Sequence, residues 1–191
     1  GVGGRIVEMN TGSLEFRERV LRDARHFRPG EVDRLDMGGL YRRRAIEQAG
    51  YMSDRNLHSY EEFDLGVRLR SLGWKLWRLP VDSVTHSGHD APPYSLLMRR
   101  WRTKYTRGMG ELLRGAWGRP HMKLVLRDMR ELRIYTGVLV WWALLASIAL
   151  WPLPAPQRAM AFALLALAPF VGMVLRKRSF ERGIYAVVSW S

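Results

Sequence analysis

Three carboxylates, Glu61, Glu62 and Asp64, fall within four positions of the stretch SYEEFDLGVRLRSLGW, which runs from Ser59 to Trp74. Like charges so close repel, and a carboxylate beside another carboxylate holds its proton more tightly. A side chain of that kind at the edge of a cleft can take a proton from a hydroxyl group, the work of a general base. A plainer account uses the same residues. Ser59-x-x-Glu62 matches a capping box. Asp64 and Arg68 are spaced i,i+4 as a surface pair. A helix N-terminus also favours negative charge. Local pattern leaves both accounts open.

The element that carries these residues is a helix from Ser59 to about Leu72, closed by Gly73. Glu62, Leu65, Leu69 and Leu72 lie at spacings of 3, 4 and 3, one continuous face. Its leucines mark it as the inward face, so Glu62 is expected to begin the buried stripe. Around this helix the sequence predicts a small α/β segment. Gly4 to Met9 reads as a strand, Gly12 to His26 as a helix and Phe27 to Asp33 as a turn around Pro29-Gly30. LDMGGLYRR reads as a strand interrupted by Gly38 and Gly39, followed by a short helix that ends at Gly50. KLWRLP and DSVTHS read as two short strands.

The chain has 191 residues, no cysteine and a formal net charge of +13. Disulfides and thiolate metal sites are excluded, and an anionic partner is favoured. Residues 134–157 and 159–175 contain no charged side chain. A run of about 20 apolar residues can cross a bilayer as a helix. Lys123, Arg127, Arg130 and Arg133 precede the first run, and Arg176, Lys177, Arg178 and Arg182 follow the second. The connection between them holds only Arg158. The positive-inside rule puts both outer flanks on the cytoplasmic side. GIYAVVSWS near the end reads as the start of a third span. Between Tyr94 and Arg133 there are eleven Lys/Arg against Glu111, Asp128 and Glu131, a net of +8. Leu96, Leu97, Trp101, Tyr105, Met109, Leu112 and Leu113 recur among them at helical spacing, the pattern of a basic amphipathic helix at a membrane interface.

GGLYRRRAIEQAGYMS, YEEFDLGVRLRSLGW and VTHS, taken together, resemble the second half of a family 2 glycosyltransferase domain of the GT-A type. The resemblance covers about Gly38 to His86 through motifs and the remainder by arrangement. It implies an α/β fold: residues 1–93 as the C-terminal, acceptor-side half of a GT-A (Rossmann-like) domain, 94–133 as basic amphipathic interfacial helices, and 134–191 as a transmembrane hairpin. Glu61 matches the Glu of the family's Glu-Asp-x-Asp-Leu signature. Glu62 replaces its Asp, the catalytic base, and Asp64 matches the later Asp. Gly38 and Gly39 match the turn near the sugar donor, and His86 matches a strand-end histidine that can help to hold metal. Arg100-Trp101 fits part of a Gln-x-x-Arg-Trp acceptor motif, but Leu97 stands where the Gln belongs, so a non-processive transferase is expected.

The resemblance further implies an inverting transfer from a nucleotide-sugar donor to a lipid-linked or polysaccharide acceptor, as in cell-envelope synthesis at a bacterial inner membrane. The cofactor implied is a divalent metal, Mg²⁺ or Mn²⁺, held mainly by an N-terminal half that this segment does not include. Membrane lipids are expected partners and nucleic acid is not. Two rivals stand beside this reading. One is a membrane-anchored basic module that binds anionic lipid or nucleic acid, and the other is a transferase relic that has lost its base.

Overall fold

The computed structural model describes residues 1–9, 28–88 and 91–190. The helix expected over Gly12 to His26 lies outside them. The chain divides into two compact units, Gly1–Asp128 and Met129–Ser191. The first is mixed α/β and includes basic helices.

Three strands form the sheet of the first unit: β1 (Val2–Glu8), β2 (Gly30–Glu31) and β3 (Trp77–His86), in the order β1-β3-β2. β1 runs parallel to β3, and β2 runs antiparallel to it. Helices α1 (Arg43–Ala49) and α2 (Glu61–Ser71) lie between β2 and β3 in the chain. Val32, Leu35, Ala45, Leu65, Leu69 and Leu76 form the core, with Tyr41, Ile46, Ala49 and Trp74 packed at its margin. Gly50 and Gly73, at φ +88° and +82°, end the two helices in the left-handed region that glycine adopts without cost.

Four local expectations are corrected. KLWRLP and DSVTHS are one strand, β3. Its pairing with β1 shifts register between Gly3 and Arg5, opposite the stretch from Arg78 to Asp82 that contains Pro80. A bulge absorbs the missing N–H of the proline without ending the strand. LDMGGLYRR is a turn rather than a strand. Asp36 and Gly38 have positive φ, at +52° and +80°. The segment keeps only an isolated bridge between Leu40 and Val2.

The capping box does not form. Tyr60, at φ +72°, stands at the N-cap of α2, and the Ser59 hydroxyl donates instead to the carbonyl of Tyr105, 2.8 Å away. Glu62 does not begin a buried stripe. It is exposed, as is Leu72, whereas everything from Phe63 to Leu69 is buried. A helix wedged between α1 and the rest of the unit buries most of its circumference, not one face.

The basic segment forms three helices rather than one: α3 (Pro93–Arg102), α4 (Gly108–Ala116) and α5 (Met122–Asp128). A 3₁₀ turn, Tyr105–Arg107, separates α3 from α4, and Lys104 precedes it at φ +62°. Leu96, Leu112 and Val125 are buried, one from each helix.

The second unit contains α6 (Glu131–Leu150), α7 (Ala155–Lys177) and α8 (Phe180–Trp190). α6 and α7 are long and apolar enough to cross a membrane, and almost none of their residues is buried. Pro152 and Pro154 lie in the connection between them, and α7 begins directly after it. Pro169 sits inside α7 and has no N–H to give to the carbonyl of Leu165. The Trp141 indole N–H of α6 donates to that carbonyl at 2.9 Å. The stretch expected to open a third span forms α8, which packs on α7 where Gly183 lets the helices meet. A Cβ on Gly183 would lie 2.6 Å from the Val174 Cα.

Candidate functional site

Glu62 stands in the first turn of α2, beside Glu61. The residue is exposed, yet its carboxyl loses part of its solvent to surrounding protein. That loss of solvent raises its pKa above the ordinary carboxylate value. The negative charges of Glu61 and Asp36 push the same way, against its own backbone N–H and the Arg34 cation. Tyr41 belongs to the same neighbourhood. Burial, with Asp36 and Glu62, pushes its hydroxyl up to about 12. The turn after β2 and the start of α2 thus bring two acids, a phenol and a guanidinium to one place.

Arg78 underlies this group from β3. It is completely buried. Its guanidinium donates to the carbonyls of Gly4 at 2.5 Å and Leu35 at 2.8 Å, and reaches Asp36 at 3.5 Å. Arg34 holds the other oxygen of Asp36 at 3.1 Å. Asp36 adopts its left-handed backbone between these two cations. Sequence reasoning gave no role in the site to Asp36, Arg34, Tyr41 or Arg78. The only signal was an arginine within a strand otherwise fit for burial, and a buried guanidinium requires partners.

Gly38 and Gly39 follow this anchored turn. A Cβ on Gly38 would collide with the Val84 side chain, and one on Gly39 would lie 2.8 Å from the Tyr41 hydroxyl. Packing of the turn against β3 and Tyr41 accounts for both glycines.

Asp64 turns to a different task. It is buried and bonded to Arg68 Nε at 2.8 Å, with both side chains under a tenth exposed. Arg68 also donates to the carbonyls of Ala49 and Tyr51, at 3.0 Å and 2.6 Å, and lies 3.9 Å over the Tyr51 ring. The expected surface pair is therefore an internal strut, which holds the C-terminal end of α1 against α2.

No protein-family model, curated protein or solved structure matches this chain. Its chemistry is read from its own residues.

His86 ends β3, and its Nδ1 meets the Glu8 carboxylate of β1 at 2.6 Å. Among the described residues no three His, Asp or Glu side chains gather as a metal site would require. Arg100 and Trp101 lie on α3, where Arg100 stands 5.1 Å over the Tyr105 ring and Trp101 projects outward.

The start of α2 is fastened to the basic helices. The His58 N–H donates to Glu111 of α4 at 3.0 Å, and the His58 ring meets the same carboxylate at 2.9 Å. Gly108 packs directly on Ser59. Glu62, three residues further on, is held by the same fastening.

Proposed function

We propose that this segment is the acceptor side of a membrane-bound, inverting glycosyltransferase of the GT-A, family 2 type, facing the cytoplasm. The observation that carries the reading is the environment of Glu62. A carboxylate with raised proton affinity stands at an exposed position of a helix start, beside a turn anchored by the buried Arg78 and the half-buried Arg34. A base works best when its pKa approaches the working pH, and desolvation with neighbouring negative charge moves Glu62 in that direction.

In this reading an acceptor hydroxyl attacks the anomeric carbon of the donor sugar. The bond to the nucleoside diphosphate breaks on the opposite face, and Glu62 takes the hydroxyl proton. Glu in place of the family's Asp keeps the carboxylate and extends it by one methylene. Asp64 serves the fold through Arg68, and Glu61 raises the proton affinity of its neighbour. In this reading a divalent cation would stabilise the departing diphosphate, held mainly by the nucleotide-binding half of the enzyme. The basic flanks of α6 and α7 support a cytoplasmic location for the first unit, where nucleotide sugars are made.

Membranes bearing the full-length protein, given a panel of labelled nucleotide sugars, test the proposal. The expected result is a labelled product that partitions with lipid or polymer, released with one nucleoside diphosphate per sugar. Vesicle binding without any turnover over the whole panel would favour the basic module instead.

A further inference from the structure

Helix α2 starts without a side-chain cap, and its N-cap residue, Tyr60, has φ +72° and ψ 18°. A bulky residue in the left-handed region is strained, because its Cβ crowds the following carbonyl. Yet the Tyr60 carbonyl accepts the Asp64 N–H at 2.8 Å, the bond that closes the first turn of α2 around Glu61 and Glu62. Strain of this kind persists where surrounding structure over-determines it. The two residues before Tyr60 are gripped from the region of α4. The Glu111 carboxylate accepts the His58 N–H at 3.0 Å and meets the His58 ring at 2.9 Å. The Ser59 hydroxyl donates to the Tyr105 carbonyl at 2.8 Å, and a Cβ on Gly108 would collide with that hydroxyl. The His58 N–H holds the Glu111 carboxyl below the ordinary carboxylate range, so Glu111 makes these bonds as an anion.

We infer that Glu111 is a positioning residue for the Glu62 carboxylate: through His58 it holds Tyr60 in the left-handed conformation on which the first turn of α2 depends. The inference rests on the reading of Glu62 as a base, and it adds to that site a residue 49 positions away that touches no reacting atom. Without Glu111, strain at Tyr60 opposes closure of the turn. Glu62 then gains solvent, and its pKa falls toward the ordinary carboxylate value, because burial is the largest cause of its rise. The other groups that act on Glu62 are Glu61 in α2, Asp36 and Arg34 in the turn after β2, and the Tyr41 phenol. None of them is altered by a substitution at Glu111.

Full-length protein in nanodiscs carries the test, with hydrogen exchange at the Asp64 amide and turnover as separate readouts. Glu111→Ala should speed Asp64 exchange by about tenfold or more, while Leu69, later in the same helix, changes less. Glu111→Gln still accepts the His58 N–H and should fall between Glu111→Ala and wild type. Tyr60→Gly takes the left-handed conformation without strain, and in the Glu111→Ala background it should return Asp64 exchange toward wild type. In turnover, Glu111→Ala should lower kcat by about tenfold with donor KM near wild type, and move the acid limb of the pH–rate profile to lower pH. Equal acceleration at Asp64 and Leu69 would overturn the inference, because Glu111 would then serve global stability alone. So would Asp64 exchange at the wild-type rate in Glu111→Ala, no recovery with Tyr60→Gly, or local opening that leaves kcat and the acid limb unchanged. A wild-type protein without turnover would count against the transferase reading, while the exchange rates would still decide whether Glu111 governs the first turn of α2.

Discussion

The strut between α1 and α2 gives an asymmetric prediction. A surface i,i+4 pair contributes about 0.3–0.5 kcal/mol. In this protein Asp64 and Arg68 are 7% and 6% exposed, and Arg68 also serves two backbone carbonyls and the Tyr51 ring. Arg68→Met strands a buried carboxylate and leaves the carbonyls of Ala49 and Tyr51 without their donor, a loss of about 3–5 kcal/mol. Asp64→Asn is milder. Burial pushes the Asp64 carboxyl up more than Arg68 pulls it down, so the ion is costly to bury and its removal offsets part of the lost attraction. Its cost should be about 1 kcal/mol. Adding Asp64→Asn to Arg68→Met should recover part of the larger loss, because the stranded charge is gone. Hydrogen exchange of the α1 and α2 amides, in the full chain held in nanodiscs, reads these opening energies. Equal costs for the two single substitutions, or an Arg68→Met cost within a few tenths of a kcal/mol, would refute the reasoning.

Three further outcomes are expected. Glu62 has a raised folded pKa, so the proton it binds favours the folded state. That contribution is complete below the unfolded carboxylate pKa and is lost as pH rises through the folded value. Thermal scans should therefore show Glu62→Gln slightly more stable than wild type at neutral pH, and the gap should close as pH falls below about 4. Trp141→Phe leaves the Leu165 carbonyl, already deprived by Pro169, without a donor, and should weaken the α6–α7 hairpin by about 0.5–2 kcal/mol in steric-trap unfolding. For topology, a reporter after Arg178 should lie in the cytoplasm and one at Ala155 on the opposite side; both on one side would mean that α6 and α7 do not span.

Much of the fold was legible where local chemistry decides it. Gly50 and Gly73 end their helices as the sequence predicts, and the charge-free runs became α6 and α7. The misreadings share a cause, since distant partners overrode local signals. Ser59 would cap α2, but Tyr105, 46 residues away, accepts its hydroxyl. Asp64 and Arg68 have surface-pair spacing, but α1 covers them. Pro80 would end a strand, but the pairing with β1 makes room for a bulge. At the candidate site the sequence singled out Glu62 and the glycine turn. An arginine within an apolar strand hinted at Arg78, but the pattern alone did not name Asp36 as its partner.

The central claim is that Glu62 takes the acceptor proton. In full-length protein, Glu62→Gln should lower sugar transfer by about 10²-fold or more, and Glu62→Asp should retain part of the rate. Donor binding, measured by nucleotide-sugar titration of the same preparations, should stay near wild type in both. The acid limb of the wild-type pH–rate profile should be absent from whatever activity Glu62→Gln retains. Turnover in Glu62→Gln equal to wild type, with the same pH profile, would contradict the account and leave Glu62 as an ordinary acidic residue in the first turn of α2.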